Sequence, residues 1–308
     1  MQIQSFENLL KLYYKKCFIK RKNIKFNNFV NSHKTLSLNR LFDFYSVFEG
    51  FKNLNILNFE EDIFVNIERI LLDDYFEIKS YFALDETSSY ALTLLAKNNR
   101  KRFSINRKIQ HFKALSTLKY LLETGIIKLE YSKEAKKIKD KRQKIKKELR
   151  SYVIQDKIMF SNHFTRFFFY FLKPNEKLIL QNRYEEVLEY IKEKFELYQS
   201  FCFEQLSREL LEKKFNINGV QSYWDKNLEL DLYYQDENLC FIGEVKFKNK
   251  KICKNILNLL KLKAKSLNLI PNYYIIISKS GFSKEFDKIC EQKLLLLDLN
   301  DFKILLEE

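Results

Sequence analysis

Three residues in the last third of the chain have types and spacing that suit phosphate chemistry. Asp231 and Glu244 are separated by twelve residues, and Lys246 follows Glu244 by two. Carboxylates are hard oxygen ligands suited to Mg²⁺ or Mn²⁺, so Asp231 and Glu244 are the candidate metal ligands. A cation held there would neutralise a scissile phosphate and acidify a bound water. Lys246 could hold or help deprotonate that water and stabilise the charge building on phosphorus. The chemistry this implies is metal-assisted phosphodiester hydrolysis. A plain strand with solvated Asp, Glu and Lys has the same spacing, so a site without chemistry stands as the alternative.

The surrounding pattern supplies elements that could position these groups. Residues 228–234 alternate like a strand, 235–238 read as a turn, and 239–247 read as a second strand, which makes an antiparallel hairpin. Glu244 and Lys246, two apart, share one face of the second strand. In the first strand Glu229, Asp231 and Tyr233 should share a face, with Leu230 and Leu232 on the other. A long helix is expected over Glu185–Lys214. After the hairpin come a helix (about Lys251–Leu269), a strand (Asn272–Ser278), a helix (Ser283–Glu291) and a strand (Leu294–Leu299). The expected fold class is α/β, a mixed sheet flanked by helices.

Charge is distributed unevenly along the 308 residues. The net charge is +15, yet residues 97–150 alone hold 19 Lys/Arg against 5 Asp/Glu, which is nearly the whole imbalance. Such asymmetry points to a polyanionic partner, or to a long solvated helix with a biased surface. Asp85 begins an amphipathic helix with a capping residue. A second helix is expected over Ile109–Glu123, with Leu115, Leu118, Leu121 and Leu122 as its apolar stripe and Gly125 closing it. Strands are expected over Ile126–Tyr131 and Ser151–Asp156. Helix, turn, helix, hairpin is the order of a winged helix. Such modules contact DNA or other proteins.

Between those strands lies a basic arm. Lys133, Lys136, Lys137, Lys139, Lys141, Arg142, Lys144, Lys146, Lys147 and Arg150 are its candidate DNA-binding residues. Phosphate contacts from such an arm add affinity without sequence preference and weaken steeply as salt rises. The aromatic run Phe160–Phe171 is expected to be a buried packing hub, with base stacking as the alternative. Residues 1–84 read as a helical scaffold or docking layer, with Ile63, Ile67, Ile70 and Leu71 at helical spacing.

Other classes are disfavoured. The five cysteines (Cys17, Cys202, Cys240, Cys253, Cys290) are scattered and never spaced as CxxC, which argues against a disulfide framework or zinc ribbon. His33, His111 and His163 are isolated and read as surface or core residues. There is no secretory signal pattern and no uncharged apolar run of membrane-spanning length. A cytoplasmic location without membrane contact is expected.

The layout Asp–x12–Glu–x–Lys on a hairpin, with an acidic helix before it and a helix and strand after it, resembles the PD-(D/E)XK nuclease core. The leading Pro-Asp is replaced here by Leu230-Asp231. Tyr152–Asp156, Phe164–Pro174, Phe203-Glu204-Gln-Leu, Trp224-Asp225, Glu229-Leu-Asp231 and Gly243-Glu244-Val-Lys246-Phe together resemble a second, narrower pattern. It is the C-terminal half of archaeal and bacterial ATPases of domain-of-unknown-function family 234. There a winged helix links an AAA-type ATPase to a PD-(D/E)XK-like domain. The resemblance covers roughly residues 85–300 and implies Glu204, Asp231, Glu244 and Lys246 as the catalytic set. It also matches Glu229 to the family's Glu-x-Asp and Trp224 to its aromatic position. Lys263 is a further candidate phosphate contact. The chain departs from the family in having no GxxxxGK[ST], so no ATP site is expected.

The expected organisation is a helical region (1–84), a winged helix with basic wing and aromatic segment (85–174), and a nuclease-like domain (175–308). The expected function is a DNA-binding, Mg²⁺- or Mn²⁺-dependent endonuclease. The alternative is a non-catalytic DNA- or partner-binding module related to an ATPase–nuclease fusion without its motor. A separate ATPase or other protein could dock through residues 1–84.

Overall fold

The computed structural model describes residues 25–30, 33–97, 100–134, 155–289 and 291–307. It is a mixed α/β structure with eleven α-helices and seven strands among those residues. Two compact units divide the chain. One comprises residues up to 130 together with 157–195, the other 131–156 together with 196 onward.

The first unit is mainly helical. Its helices are α1 (Phe26–Val30), α2 (Leu38–Phe48), α3 (Ile63–Asn66), α4 (Tyr75–Ser80), α5 (Glu86–Ala96), α6 (Arg102–Asn106), α7 (His111–Glu123), α8 (His163–Phe167) and α9 (Glu176–Leu180). Asp85 caps α5 by accepting the Ser88 amide at 2.6 Å. Ala114, Leu118 and Leu121 are buried along one stripe of α7, and Gly125 (φ 74°) ends it in the left-handed conformation that glycine adopts without strain. Two strands follow, β1 (Ile127–Glu130) and β2 (Lys157–Phe160), antiparallel with Ile127 opposite Phe160.

The second strand of this hairpin is therefore not Ser151–Asp156 as expected. Gln155 and Asp156 lie outside any strand, and residues 151–154 fall outside the described residues. All four residues of β2 are buried, so there is no polar–apolar alternation by which a strand of this length could be read.

The aromatic run is a packing hub. Phe167 to Leu172 are all buried, with Phe168–Leu172 wound as a π-helical turn. Phe168 stacks on Tyr75 with centroids 5.7 Å apart, and Phe82 meets Phe168 and Phe169 at 4.6 and 5.0 Å. Ile63, Ile67, Ile70 and Leu71 are buried as their spacing predicts.

The second unit is built on a five-stranded sheet ordered β3-β4-β5-β6-β7: Gln221–Trp224, Glu229–Gln235, Cys240–Lys246, Tyr273–Ser278 and Leu294–Asp298. The first three strands are antiparallel; β5, β6 and β7 run parallel. Helix α10 (Tyr184–Phe215) crosses the boundary between the units, and its later part buries Cys202, Phe203, Leu206, Leu210 and Leu211. Helix α11 (Asn255–Ser266) buries Leu257, Leu260 and Ala264 in one cluster with Leu230, Ile242 and Ile276. The helix expected over Ser283–Glu291 reduces to a single 3₁₀ turn, Phe286–Lys288.

Strand β4 breaks the expected alternation. Gln221 pairs with Tyr233, whereas Tyr223 pairs with Leu230, so the register shifts by a bulge. Leu230 and Tyr233 consequently pack against the same cluster, although simple alternation would put them on opposite faces.

Candidate functional site

The bulge in β4 changes what Asp231 does. The register of β4 with β5 ends at Leu232 opposite Gly243. Beyond that point the Val245 amide donates to Asp231 Oδ2, at 2.9 Å. This backbone-to-side-chain hydrogen bond fixes the carboxylate against β5.

Glu244 and Lys246 come from β5, the central strand. Lys246 Nζ lies 2.7 Å from Glu244 Oε2 and 3.6 Å from Asp231 Oδ2. One ammonium thus joins two carboxylates from neighbouring strands. The other oxygen of Glu244, Oε1, accepts from Lys263 Nζ, which also donates to the Glu229 carbonyl at 2.6 Å. Glu244 keeps 9% of its side-chain surface exposed, and Asp231 and Lys246 about a quarter each.

Electrostatics separates the two acids. The Asp231 carboxyl is raised from 3.8 to about 7, first by burial, then by the charges of Glu244 and Glu204; Lys246 and the Val245 amide oppose the shift. Burial also works against ionised Glu244, but Lys246 and Lys263 outweigh it and hold its carboxyl below the usual range. Burial disfavours charge on Lys246 too, and Asp231 and Glu244 overcome this and raise its pKa. Paired carboxylates pushed in opposite directions around one lysine are a recognised mark of functional sites.

Glu204 lies on α10 and is paired with Arg208 one helical turn later. Its charge reaches Asp231, as the shift there records. Arg208 was not among the candidates, although the four-residue spacing from Glu204 is the spacing of helical ion pairs. Trp224 is buried and donates its indole N–H to the Gln155 carbonyl at 2.8 Å. Of the ten candidate DNA-binding residues only Lys133 is described, and it is exposed; Lys136 to Arg150 lie outside the described residues.

The donor set suits a hard divalent cation in chemistry and in number only in part. Asp231 and Glu244 offer oxygens, but among the described residues no three His, Cys, Asp or Glu side chains group as a metal cage. Mg²⁺ commonly takes one or two carboxylates and completes its shell with water and substrate phosphate, so the pair fits that ion. No helix among the described residues is long and apolar enough to cross a membrane.

No curated protein and no solved structure gives a significant match to the chain. Residues 168–256, which include Glu204, Asp231, Glu244 and Lys246, match the model of domain-of-unknown-function family 234, described as archaeal and bacterial proteins of unknown function.

Proposed function

We propose that the second unit is a PD-(D/E)XK-type, metal-dependent nuclease acting on DNA. The observation that carries this reading is the meeting of Asp231 and Glu244, from neighbouring strands, on one lysine, Lys246. Asp231 and Glu244 would hold Mg²⁺ or Mn²⁺, which when bound would offset phosphate charge and supply an acidified water. Lys246 orients the attacking water and faces the charge that develops on phosphorus. Glu204 acts on Asp231 through its field, and Arg208 fixes Glu204 in place.

In the first unit, α5, α6, α7 and the β1–β2 hairpin support a winged-helix reading, and the basic segment that joins the two strands in sequence, Lys133 to Arg150, is the proposed DNA-contacting arm. The 308-residue sequence has no phosphate-binding loop, and a separate ATPase or other protein is the proposed partner, with residues 1–84 as the proposed contact. The proposed setting is the cytoplasm.

The test is nicking of supercoiled plasmid by the full chain in Mg²⁺ or Mn²⁺, with EDTA as control. Asp231→Ala and Lys246→Ala should each lower the rate by about 100-fold or more. Equal activity in both variants refutes the site.

One observation favours the non-catalytic alternative: both oxygens of Glu244 are already engaged by lysines. On that reading the chain binds DNA in a salt-dependent manner and cleaves no nucleic acid under any metal condition.

A further inference from the structure

We propose that Lys263 guards Glu244, so that a divalent cation binds this site tightly only together with a phosphodiester. The proposal rests on reading Asp231 and Glu244 as a cation site.

The argument begins with the oxygens of Glu244. Lys246 occupies Oε2 and Lys263 occupies Oε1, so an incoming cation meets a carboxylate already satisfied by two ammonium groups. The two lysines differ in how they are mounted. Lys246 belongs to the central strand and is shared with Asp231. Lys263 comes from α11, whose Leu257, Leu260 and Ala264 fix the helix on the sheet while the lysine stem stays partly exposed. It also donates to the Glu229 carbonyl. Lys263 can therefore swing away without moving the backbone, and Lys246 cannot do so without abandoning both acids.

Charge balance says when it swings. The side chains joined here are three carboxylates, Glu204, Asp231 and Glu244, and three cations, Arg208, Lys246 and Lys263. A dication added alone stands beside two ammonium groups and must displace one into water. A phosphodiester brings a negative charge and acceptor oxygens, which give the displaced Lys263 a new partner. Cation and phosphate then favour each other's binding by the same factor, since coupling between two ligands is reciprocal. Lys263 is a positioning residue in this scheme; it sets the order of assembly.

The test is Mn²⁺ binding by calorimetry to the full chain, alone and with a short phosphorothioate duplex. Wild type should bind Mn²⁺ about 10- to 100-fold more tightly with the duplex, the usual range of such coupling. Lys263→Gln, which keeps the stem and a donor for Glu229, should bind Mn²⁺ alone nearly as tightly as wild type does with duplex. Lys263→Ala should behave alike, and Asp231→Ala should abolish Mn²⁺ binding. If both Lys263 variants bind Mn²⁺ as wild type does while Asp231→Ala does not bind, the guard is refuted and the cation site stands. If wild type binds no Mn²⁺ in either condition, both are refuted.

Discussion

Asp231→Asn should make the folded chain more stable at pH 8 and leave it nearly unchanged at pH 4. Burial and the charges of Glu244 and Glu204 raise this carboxyl from 3.8 to about 7. Below pH 3.8 the folded and unfolded chains both carry the proton, and the neutral acid resembles the amide. Between 3.8 and about 7 the unfolded chain ionises while the folded one keeps its proton, so wild-type stability falls as pH rises. Above about 7 the loss is complete. At about 1.4 kcal/mol for each tenfold in proton affinity, the ceiling is about 4 kcal/mol. The Asp231 side chain keeps 23% of its surface in solvent, which screens part of that cost. The expected gain at pH 8 is therefore about 1–3 kcal/mol, while the Asn oxygen can still accept from the Val245 amide. Urea denaturation of both proteins in EDTA at pH 4, 6 and 8 measures the difference. A difference that does not grow with pH, or a wild type more stable at pH 8, refutes the reasoning.

His163 is buried and its pKa is lowered to about 3, first by burial, then by Arg166 and Lys128. Its stabilising share is complete above about pH 6.5 and is lost as pH falls through the range down to 3, so His163→Gln should flatten acid unfolding in that window, read by circular dichroism. Gly50→Ala should destabilise the first unit by about 2 kcal/mol or more, because φ is 91° and an added Cβ would lie 2.4 Å from Asn162 Cγ. Gly219→Ala, with φ 94° and open space around it, should cost only the backbone strain, about 1 kcal/mol; thermal melts compare the two. Trp224→Phe should cost about 1–3 kcal/mol in urea melts by leaving the Gln155 carbonyl without its 2.8 Å donor.

The elements that sequence reading locates well are those whose period is local. The hairpin of β4 and β5, the helix α10 and the parallel strands β6 and β7 all fall within a residue or two of their expected bounds, because turn residues and apolar repeats mark them. Asp231, Glu244 and Lys246 were legible for the same reason. What escaped depends on distant partners. Alternation in β4 fails where the register shifts, and nothing in a seven-residue stretch announces that Val245 will donate to a side chain. Strand β2 begins six residues later than expected because Tyr152-Val-Ile looks more strand-like than the buried Lys157–Phe160. The hold of Lys263 on Glu244 joins residues nineteen apart in sequence on different elements, and only the folded sheet brings them together.

β5 has a neighbouring strand on each edge, so its amides should exchange with deuterium only when the sheet itself opens. Glu244 and Lys246 thus sit on a frame that yields on the slowest timescale the unit possesses. Lys263 sits on a partly exposed stem, and once released from Glu244 and the Glu229 carbonyl its rotamers would interconvert in picoseconds to nanoseconds. The site therefore runs on two clocks. On the proposed reading, its answer to an arriving ligand would be a side-chain rotation completed before the surrounding backbone has time to move.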